Sequence, residues 1–193
     1  MYSNYLLNEE NENEEFAKRE RLQQKHYKLL NELQTMASEL PIQYQQRLPY
    51  ELLSNLANCL LDDTIYQIVK GLKDIQHITE KNLFEKRQKA IENFKAMKFN
   101  LQKKHKEALS NGSMTSNAVR TAQIEFDKYI EDETRKLDMK AILELDQVVS
   151  EQQVTLERAG VPGFHVTNNP QEVQLQMHLL SFISRIETNS SLD

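Results

Sequence analysis

Apolar residues recur at steps of three and four along most of the chain, and this spacing predicts amphipathic helices. In residues 14–40 the steps alternate as a heptad repeat with one polar interruption at His26, and Pro41 ends the predicted helix. The apolar heptad positions are Leu22, Leu29, Leu33, Met36 and Leu40. Residues 1–13 are polar and acidic, so we expect a disordered start before this helix.

A wider apolar face follows in residues 48–62, where a short helix is predicted. Pro49 suits the first turn of that helix, and Glu51 lies where the helix dipole favours an acid. The leucines of this segment form an apolar face that is wider than the stripe a single partner helix buries. This width predicts a small packed core. They are Leu48, Leu52, Leu53, Leu56, Leu60 and Leu61.

The two longest predicted helices span residues 64–109 and 116–159. Between them lies SNGSMTSN, in which Gly112 and a cluster of small polar residues predict a turn. Two long helices joined by a short polar loop form a helical hairpin. The predicted fold is therefore all-α, with a long antiparallel, coiled-coil-like hairpin and shorter flanking helices at both ends, in one elongated domain over residues 14–193.

The stretch ERAGVPGFHVTNNP predicts a corner at residues 160–169 and a C-terminal helix at 170–187. Gly160 suits the left-handed residue that ends many helices, and Pro162 prevents continuation. Asn169 is the expected N-cap of the next helix, with Pro170 in its first position. We expect Phe164 and Val166 to fix the corner in place.

Composition supports long helices with narrow apolar faces. Apolar residues make up 39% of the 193 residues and aromatic residues 7%, and the chain has four glycines, four prolines and no tryptophan. The net charge of -5 gives no general attraction to nucleic acid or to anionic lipid. We expect a cytoplasmic or nuclear protein without a membrane span, since no apolar run approaches the length that a span requires.

A basic run in residues 86–106 is the strongest charge feature. It has eight lysines and arginines and one acid, Glu92, whereas residues 125–146 carry eight acids and four basic residues. A hairpin that turns near Gly112 places Arg87 near Asp138 and Lys95 near Glu131, so most of the run is neutralised within the molecule. The hairpin tip keeps an uncovered basic patch of Lys103, Lys104, Lys106 and Arg120.

The residues that could carry chemistry do not form a recognised motif. Asp74, His77 and Glu80 share one helical face, but the second Glu-x-x-His motif of a bundle metal site is missing. His165 is the one histidine in a predicted loop, and no nucleophile accompanies it. The single cysteine, Cys59, is expected to be a small buried apolar residue. We therefore predict no enzyme activity, no cofactor, no metal and no small-molecule substrate.

Two blocks of the sequence resemble the gonadal protein family, which includes the DiGeorge syndrome critical region 6 proteins. The blocks are ELPIQYQQRLPYELLSNLANCLLDDTIYQIVKGLKDIQHITEKNLFEKR and LDQVVSEQQVTLERAGVPGFHVTNNPQEVQLQMHLL. The resemblance implies a helical, coiled-coil-type protein linked to gonads or development, with no catalytic residue to transfer. Since both blocks lie away from the hairpin tip, it favours the leucine face and the corner over the basic run as a shared functional surface.

The leading hypothesis is an adaptor or scaffold that works through protein–protein contacts. We expect its partners to be other helical or coiled-coil proteins, including a second copy of the chain. The candidate contact residues are Leu52, Leu53, Leu56, Leu60, Phe164, Val166, Met177 and Leu180. The alternative is a nuclear protein that binds nucleic acid through the basic face of residues 86–106, and a metal-dependent enzyme is a third possibility.

Overall fold

The computed structural model describes the backbone of residues 2–190 and the side chains of residues 14–188. All regular structure in this part of the chain is helical, which confirms the predicted all-α class. The six helices are α1 (Tyr2–Ser38), α2 (Ile42–Gln45), α3 (Tyr50–Cys59), α4 (Thr64–Ser110), α5 (Ser116–Arg158) and α6 (Pro170–Ser190). Helix α1 begins at Tyr2 rather than near residue 14, and the side chains of residues 1–13 lie outside the described ones.

The helices are divided between two compact units. The first contains residues 1–73 and 150–193, and the second contains residues 74–149. The boundaries fall inside α4 and α5, so each of these helices contributes to both units. The prediction of one domain over residues 14–193 stays a prediction.

The hydrophobic core of the described residues lies in the first unit. It is built from α1, α3, the start of α4, the end of α5, the corner loop and α6. Burial of branched aliphatic side chains is the main stabilising contribution in such a core. The largest fully buried side chains are Leu33, Val69, Leu56, Leu60, Leu156, Leu179, Ile183 and Ile186.

The end of α5 is a Schellman motif. Gly160 has a φ of +74°, the Val161 amide donates to the Leu156 carbonyl at 3.0 Å, and the Gly160 amide donates to Glu157 at 3.0 Å. Val161 is buried, which supplies the apolar contact that accompanies this motif. The predicted role of Gly160 as the left-handed terminating residue is confirmed.

The start of α6 also follows the prediction. The Gln171 amide donates to Asn169 Oδ1 at 2.9 Å, so Asn169 caps the helix with its side chain. Glu172 binds Arg47, which ties the first turn of α6 to the segment between α2 and α3.

Two buried glutamines hold the corner loop between α5 and α6. Gln153 and Gln176 are only 4% and 3% exposed. Gln153 Nε2 donates to Gln176 Oε1 at 2.9 Å and to the Thr167 carbonyl at 3.1 Å, and the Thr167 amide donates to Gln153 Oε1 at 3.2 Å. Gln176 Nε2 donates to the His165 carbonyl at 2.9 Å. The loop backbone thereby obtains the partners that buried polar groups require.

The second unit has a much thinner interior. Within residues 74–149, which are all described, only His105 is buried, at 8% exposure. The apolar side chains along α4 and α5 are half-buried or exposed, as narrow apolar faces predict. The two helices contact each other through the ion pairs described below.

We expect the variant Gln176→Leu to lower the free energy of unfolding by about 1–3 kcal/mol, because the His165 carbonyl and the Gln153 amide lose a buried partner. Urea unfolding followed by circular dichroism measures this change. Gln171→Leu is the matched control, since the Gln171 side chain is exposed, and its effect should stay within about 0.5 kcal/mol. Equal effects of the two variants would contradict a structural role for the glutamine pair.

Candidate protein-interaction surfaces

Half of the predicted contact residues lie inside the first unit. Leu53, Leu56, Leu60 and Phe164 are all buried in its core. They pack against the chain's own helices and cannot form a surface patch while the unit is folded, which corrects the prediction for these four positions. The amphipathic pattern located an apolar face correctly, but the chain covers that face itself.

The other four predicted contact residues are accessible to different degrees. Leu52 and Leu180 are half-buried and pack against the core. Val166 is 52% exposed and Met177 is 56% exposed. Val166 therefore does not fix the corner as predicted, whereas Phe164 does. A contact role for the exposed pair, Val166 and Met177, stays a prediction.

The corner approaches α3 and α6 closely at Gly163. This residue has a φ of +85°, and an added Cβ would lie 2.7 Å from Leu179 Cδ1 and 3.7 Å from Leu52 Cδ1. Any side chain at this position would both strain the backbone and displace a fully buried leucine. Leu52 therefore helps to seat the corner in addition to covering the core.

The apolar stripe of α1 is only partly covered. Leu29, Leu33 and Met36 are buried in the core, as are Leu175, Ile183 and Ile186 of α6. The chain therefore covers most of both stripes itself. Leu22, at the start of the α1 repeat, remains 41% exposed.

A groove of about 350 Å³ opens beside this uncovered end of the stripe. We call it the His26 groove, and it is lined by Leu22, Gln23, His26, Tyr27, Tyr50, Asn58 and Leu61. Tyr27 and Tyr50 are 58% and 62% exposed. The edge of the groove is fixed where Lys25 Nζ donates to the Leu61 carbonyl at 2.7 Å.

His26 lines this groove and has one ring nitrogen without a hydrogen-bond partner among the described residues. Its Nε2 is 3.5 Å from Ser54 Oγ, and its Nδ1 is buried without a hydrogen-bond partner among the described residues. A buried ring nitrogen without a partner is energetically unfavourable. Sequence analysis identified His26 only as a polar interruption of the repeat, and its contact with α3 was not predictable from that pattern.

Three members of the basic run form ion pairs with α5. Arg87 donates to Asp138 from Nε at 2.7 Å and from Nη2 at 3.3 Å, and Lys98 Nζ lies 2.8 Å from Asp127 Oδ1. Lys86 is 4.0 Å from Glu144. The predicted proximity of Arg87 and Asp138 is confirmed. All three pairs are exposed to solvent, so they contribute more to pairing specificity than to stability.

Lys95 and Glu131 line one small groove, together with Ile91, Phe94 and Ile130. They are therefore neighbours, as predicted. Among the described residues no ion pair joins them, and Glu131 accepts instead from Arg135 on its own helix at 3.2 Å.

The predicted basic patch borders a third groove, which has a volume of about 620 Å³. We call it the tip groove. Lys106 and Arg120 line it, and Lys103 and Lys104 are exposed neighbours in sequence. Its other lining residues are Gln102, His105, Leu109, Ser116, Val119, Gln123 and Ile124. Within the described chain, the four cations of the patch form no ion pair.

Cys59 is half-buried, and its Sγ lies 3.6 Å from the Gly160 carbonyl. Burial raises the pKa of the thiol above its ordinary value of 9.0, and the charge of Asp62 raises it further. The thiolate is the reactive form, so this environment disfavours reaction.

The other residues considered for chemistry remain separate. The described residues contain no group of three or more His, Cys, Asp and Glu side chains that could bind a metal ion. His165 is exposed in the corner, where its carbonyl accepts from Gln176. Among the described helices, none combines the length and apolar character of a membrane span.

The alkylation rate of Cys59 should reach half its maximum at a pH above 9.0, because the raised pKa lowers the thiolate fraction at every lower pH. Iodoacetamide labelling across a pH series measures this. Asp62→Asn should lower the midpoint, since it removes the charge while an amide oxygen can still accept from the Thr64 amide, as Asp62 does at 2.9 Å. A midpoint below 9.0 in the unsubstituted chain would contradict this description.

The pKa of Asp138 should lie below its ordinary value of 3.8, because Arg87 donates hydrogen bonds to its ionised form. Any stabilisation from the pair is present above pH 3.8 and is lost as the pH falls through the lowered pKa. Carboxyl NMR titration should show the Asp138 pKa rising towards 3.8 in Arg87→Gln.

The internal control is Asp127, whose pKa is lowered by Lys98 and Gln123 and should be unaffected by Arg87→Gln. An unchanged Asp138 titration in that variant would show that the pair does not persist in solution.

Comparisons with known proteins agree with this helical chain over nearly its whole length. A family model described as DiGeorge syndrome critical region 6 (DGCR6) protein matches residues 8–192. Protein DGCR6 of Gallus gallus is 44% identical over 180 residues, which cover 91% of this chain and 90% of the relative. Gonadal protein gdl of Drosophila melanogaster is 41% identical over 165 residues, which cover 86% and 81%. No solved structure matches. The resemblance carried by the two sequence blocks is thus confirmed, and the chain belongs to the DGCR6 family.

Proposed function

We propose that this protein is a non-enzymatic helical adaptor that binds other proteins in the cytoplasm or nucleus. The observation that carries the proposal is the His26 groove, where Leu22, Tyr27 and Tyr50 remain exposed beside the core of the first unit. The name of the Drosophila relative, Gonadal protein gdl, suggests a role in gonads or development.

The residue types around the groove suit protein recognition. Tyrosine is enriched at the energetically dominant positions of interfaces, because its ring buries a large apolar area and its hydroxyl can still bind water or a partner. Tyr27 comes from α1 and Tyr50 from α3, and both helices are fixed by the core, so the two rings are presented on rigid supports. A partner helix with apolar residues at steps of three and four is the ligand that such a groove accommodates.

In this proposal the second unit is an antiparallel hairpin of α4 and α5. The order of the ion pairs supports it, since the numbers rise along α4 from Lys86 to Arg87 to Lys98 as those of their α5 partners fall. The pairs Arg87–Asp138 and Lys98–Asp127 also have the same sum of residue numbers, which a constant register requires. The hairpin would present its outer surface as a second area for contacts.

A double variant of the groove provides the test. We expect Tyr27→Ser/Tyr50→Ser to weaken binding of proteins captured from tissue by at least about tenfold, because each ring removed from an interface centre costs on the order of 1–2 kcal/mol. Quantitative affinity capture, followed by titration with a purified partner, measures the change.

The control variant is Ile42→Ser/Phe84→Ser, which removes two apolar side chains that are similarly exposed outside the groove. It should retain the partners. Circular dichroism should show that both variants keep their helical content. If the groove variant retains every partner at unchanged affinity, the groove is not the contact surface.

The nucleic-acid alternative makes a different prediction. It requires binding of DNA or RNA that weakens steeply as salt increases and that depends on residues 86–106. Arg87 and Lys98 are engaged with acids of α5, which reduces the charge available for phosphates. Salt-dependent binding lost in Lys103→Glu/Lys104→Glu would favour the alternative over the adaptor.

A further inference from the structure

The tip groove combines apolar and cationic character in a way that specifies its ligand. Leu109 and Ile124 line it with exposed apolar surface, Val119 is half-buried there, and Lys106 and Arg120 contribute cations to the same lining. A ligand that fills this groove has to offer apolar side chains together with negative charge.

The charge around the groove is locally positive on an otherwise acidic chain. Residues 99–123 contain Lys103, Lys104, Lys106, Arg120 and one acid, Glu107, so four minus one gives +3. The whole chain carries -5, so the remaining residues carry -5 minus 3, or -8. A second copy of the chain therefore carries an excess of acidic residues outside its own tip.

One segment of the chain has the complementary composition. Residues 5–15 are YLLNEENENEE, in which a tyrosine and two leucines precede five glutamates and no basic residue occurs. Of these acids, Glu15 is paired with Arg19 at 3.2 Å, so we assign the complement of the tip to Glu9, Glu10, Glu12 and Glu14. The side chains of residues 1–13 lie outside the described part of the structure, so the match rests on sequence and charge.

We propose that residues 5–15 of a second copy bind in the tip groove, with the apolar start of this segment at the apolar lining and its glutamates near the four cations. The inference rests on the proposed function as an adaptor and identifies one partner of that adaptor as the chain itself. Charge complementarity of this kind sets register and selects the partner more than it adds affinity.

A nucleic acid fits the tip groove less well than an acidic segment does. No tryptophan, tyrosine or phenylalanine lines the groove, and its one ring, His105, is only 8% exposed, so the lining offers little ring surface on which unpaired bases could stack. Its apolar residues would contact no part of a phosphate backbone, whereas the leucines of residues 5–15 can cover them.

The experiment uses complementary charge reversals in the full-length chain. The tip variant is Lys103→Glu/Lys104→Glu/Lys106→Glu, and the tail variant is Glu9→Lys/Glu10→Lys/Glu12→Lys. We expect each variant alone to weaken self-association by about tenfold or more, since each exposed pair contributes up to about 1 kcal/mol. When the two variants are mixed, the basic tail of one meets the acidic tip of the other, and association should return.

Sedimentation velocity over a range of protein concentrations and salt measures these constants. Carbodiimide cross-linking of mixed isotope-labelled and unlabelled chains should join the tip lysines to residues 9–15 of a different copy. The matched control is Lys89→Glu/Lys128→Glu/Lys140→Glu, which changes the net charge equally at exposed positions outside the groove and should associate normally.

Three outcomes would overturn the proposal. They are a monomer at all concentrations, association unaffected by the tip variant, and mixed variants that fail to associate. Salt-sensitive binding of an RNA probe by a monomer would assign the tip to nucleic acid instead. None of these results bears on the Tyr27→Ser/Tyr50→Ser variant, so failure here is distinguishable from failure of the adaptor function.

Discussion

The fold of the first unit depends on the paired side chains of Gln153 and Gln176. The chain reverses between α5 and α6 through a loop whose backbone is partly buried. Buried carbonyl and amide groups without partners would destabilise the fold by more free energy than the apolar contacts of the loop contribute. The two glutamines satisfy the backbone of His165 and Thr167 and also bond to each other. A buried polar network in which some groups lack partners is less stable than an apolar core. The loop path that gives all of these groups their partners is therefore favoured. That path places Phe164 in the core and brings the α6 stripe onto α1 and α3.

Much of this architecture could be predicted from local sequence patterns. Gly160 and Asn169 mark helix ends because their local conformations and bonds are specific to their residue types. The bounds of α4 and α5 lie within one residue of the predicted 64–109 and 116–159, since uninterrupted periodicity and a polar turn specify them. Such features depend on neighbours in sequence, and so the sequence alone indicates them.

The features that could not be predicted depend on contacts between distant segments. Gln153 and Gln176 look like ordinary polar positions of exposed helices, and only the returning loop turns them into core residues. The leucines of α3 showed that an apolar face exists but not which segment covers it. For the same reason, a candidate surface chosen from amphipathic width selected Leu53, Leu56 and Leu60, which the chain buries itself. The exposed apolar surface that is left for a partner lies where a buried stripe ends, as at Leu22.

The two units use different physical means to hold their helices, and this difference bears on how each can recognise a partner. The first unit has a thick core, so it can present Tyr27 and Tyr50 on fixed supports, and a partner bound there gains affinity by burying apolar area. The second unit has little buried surface and relies on exposed pairs such as Arg87–Asp138, which fix register while adding little stability. Unpaired cations at one end of such a unit cost the fold almost nothing, since they are solvated in the free protein. A basic patch can therefore be kept there for selecting an acidic partner without weakening the helices that carry it.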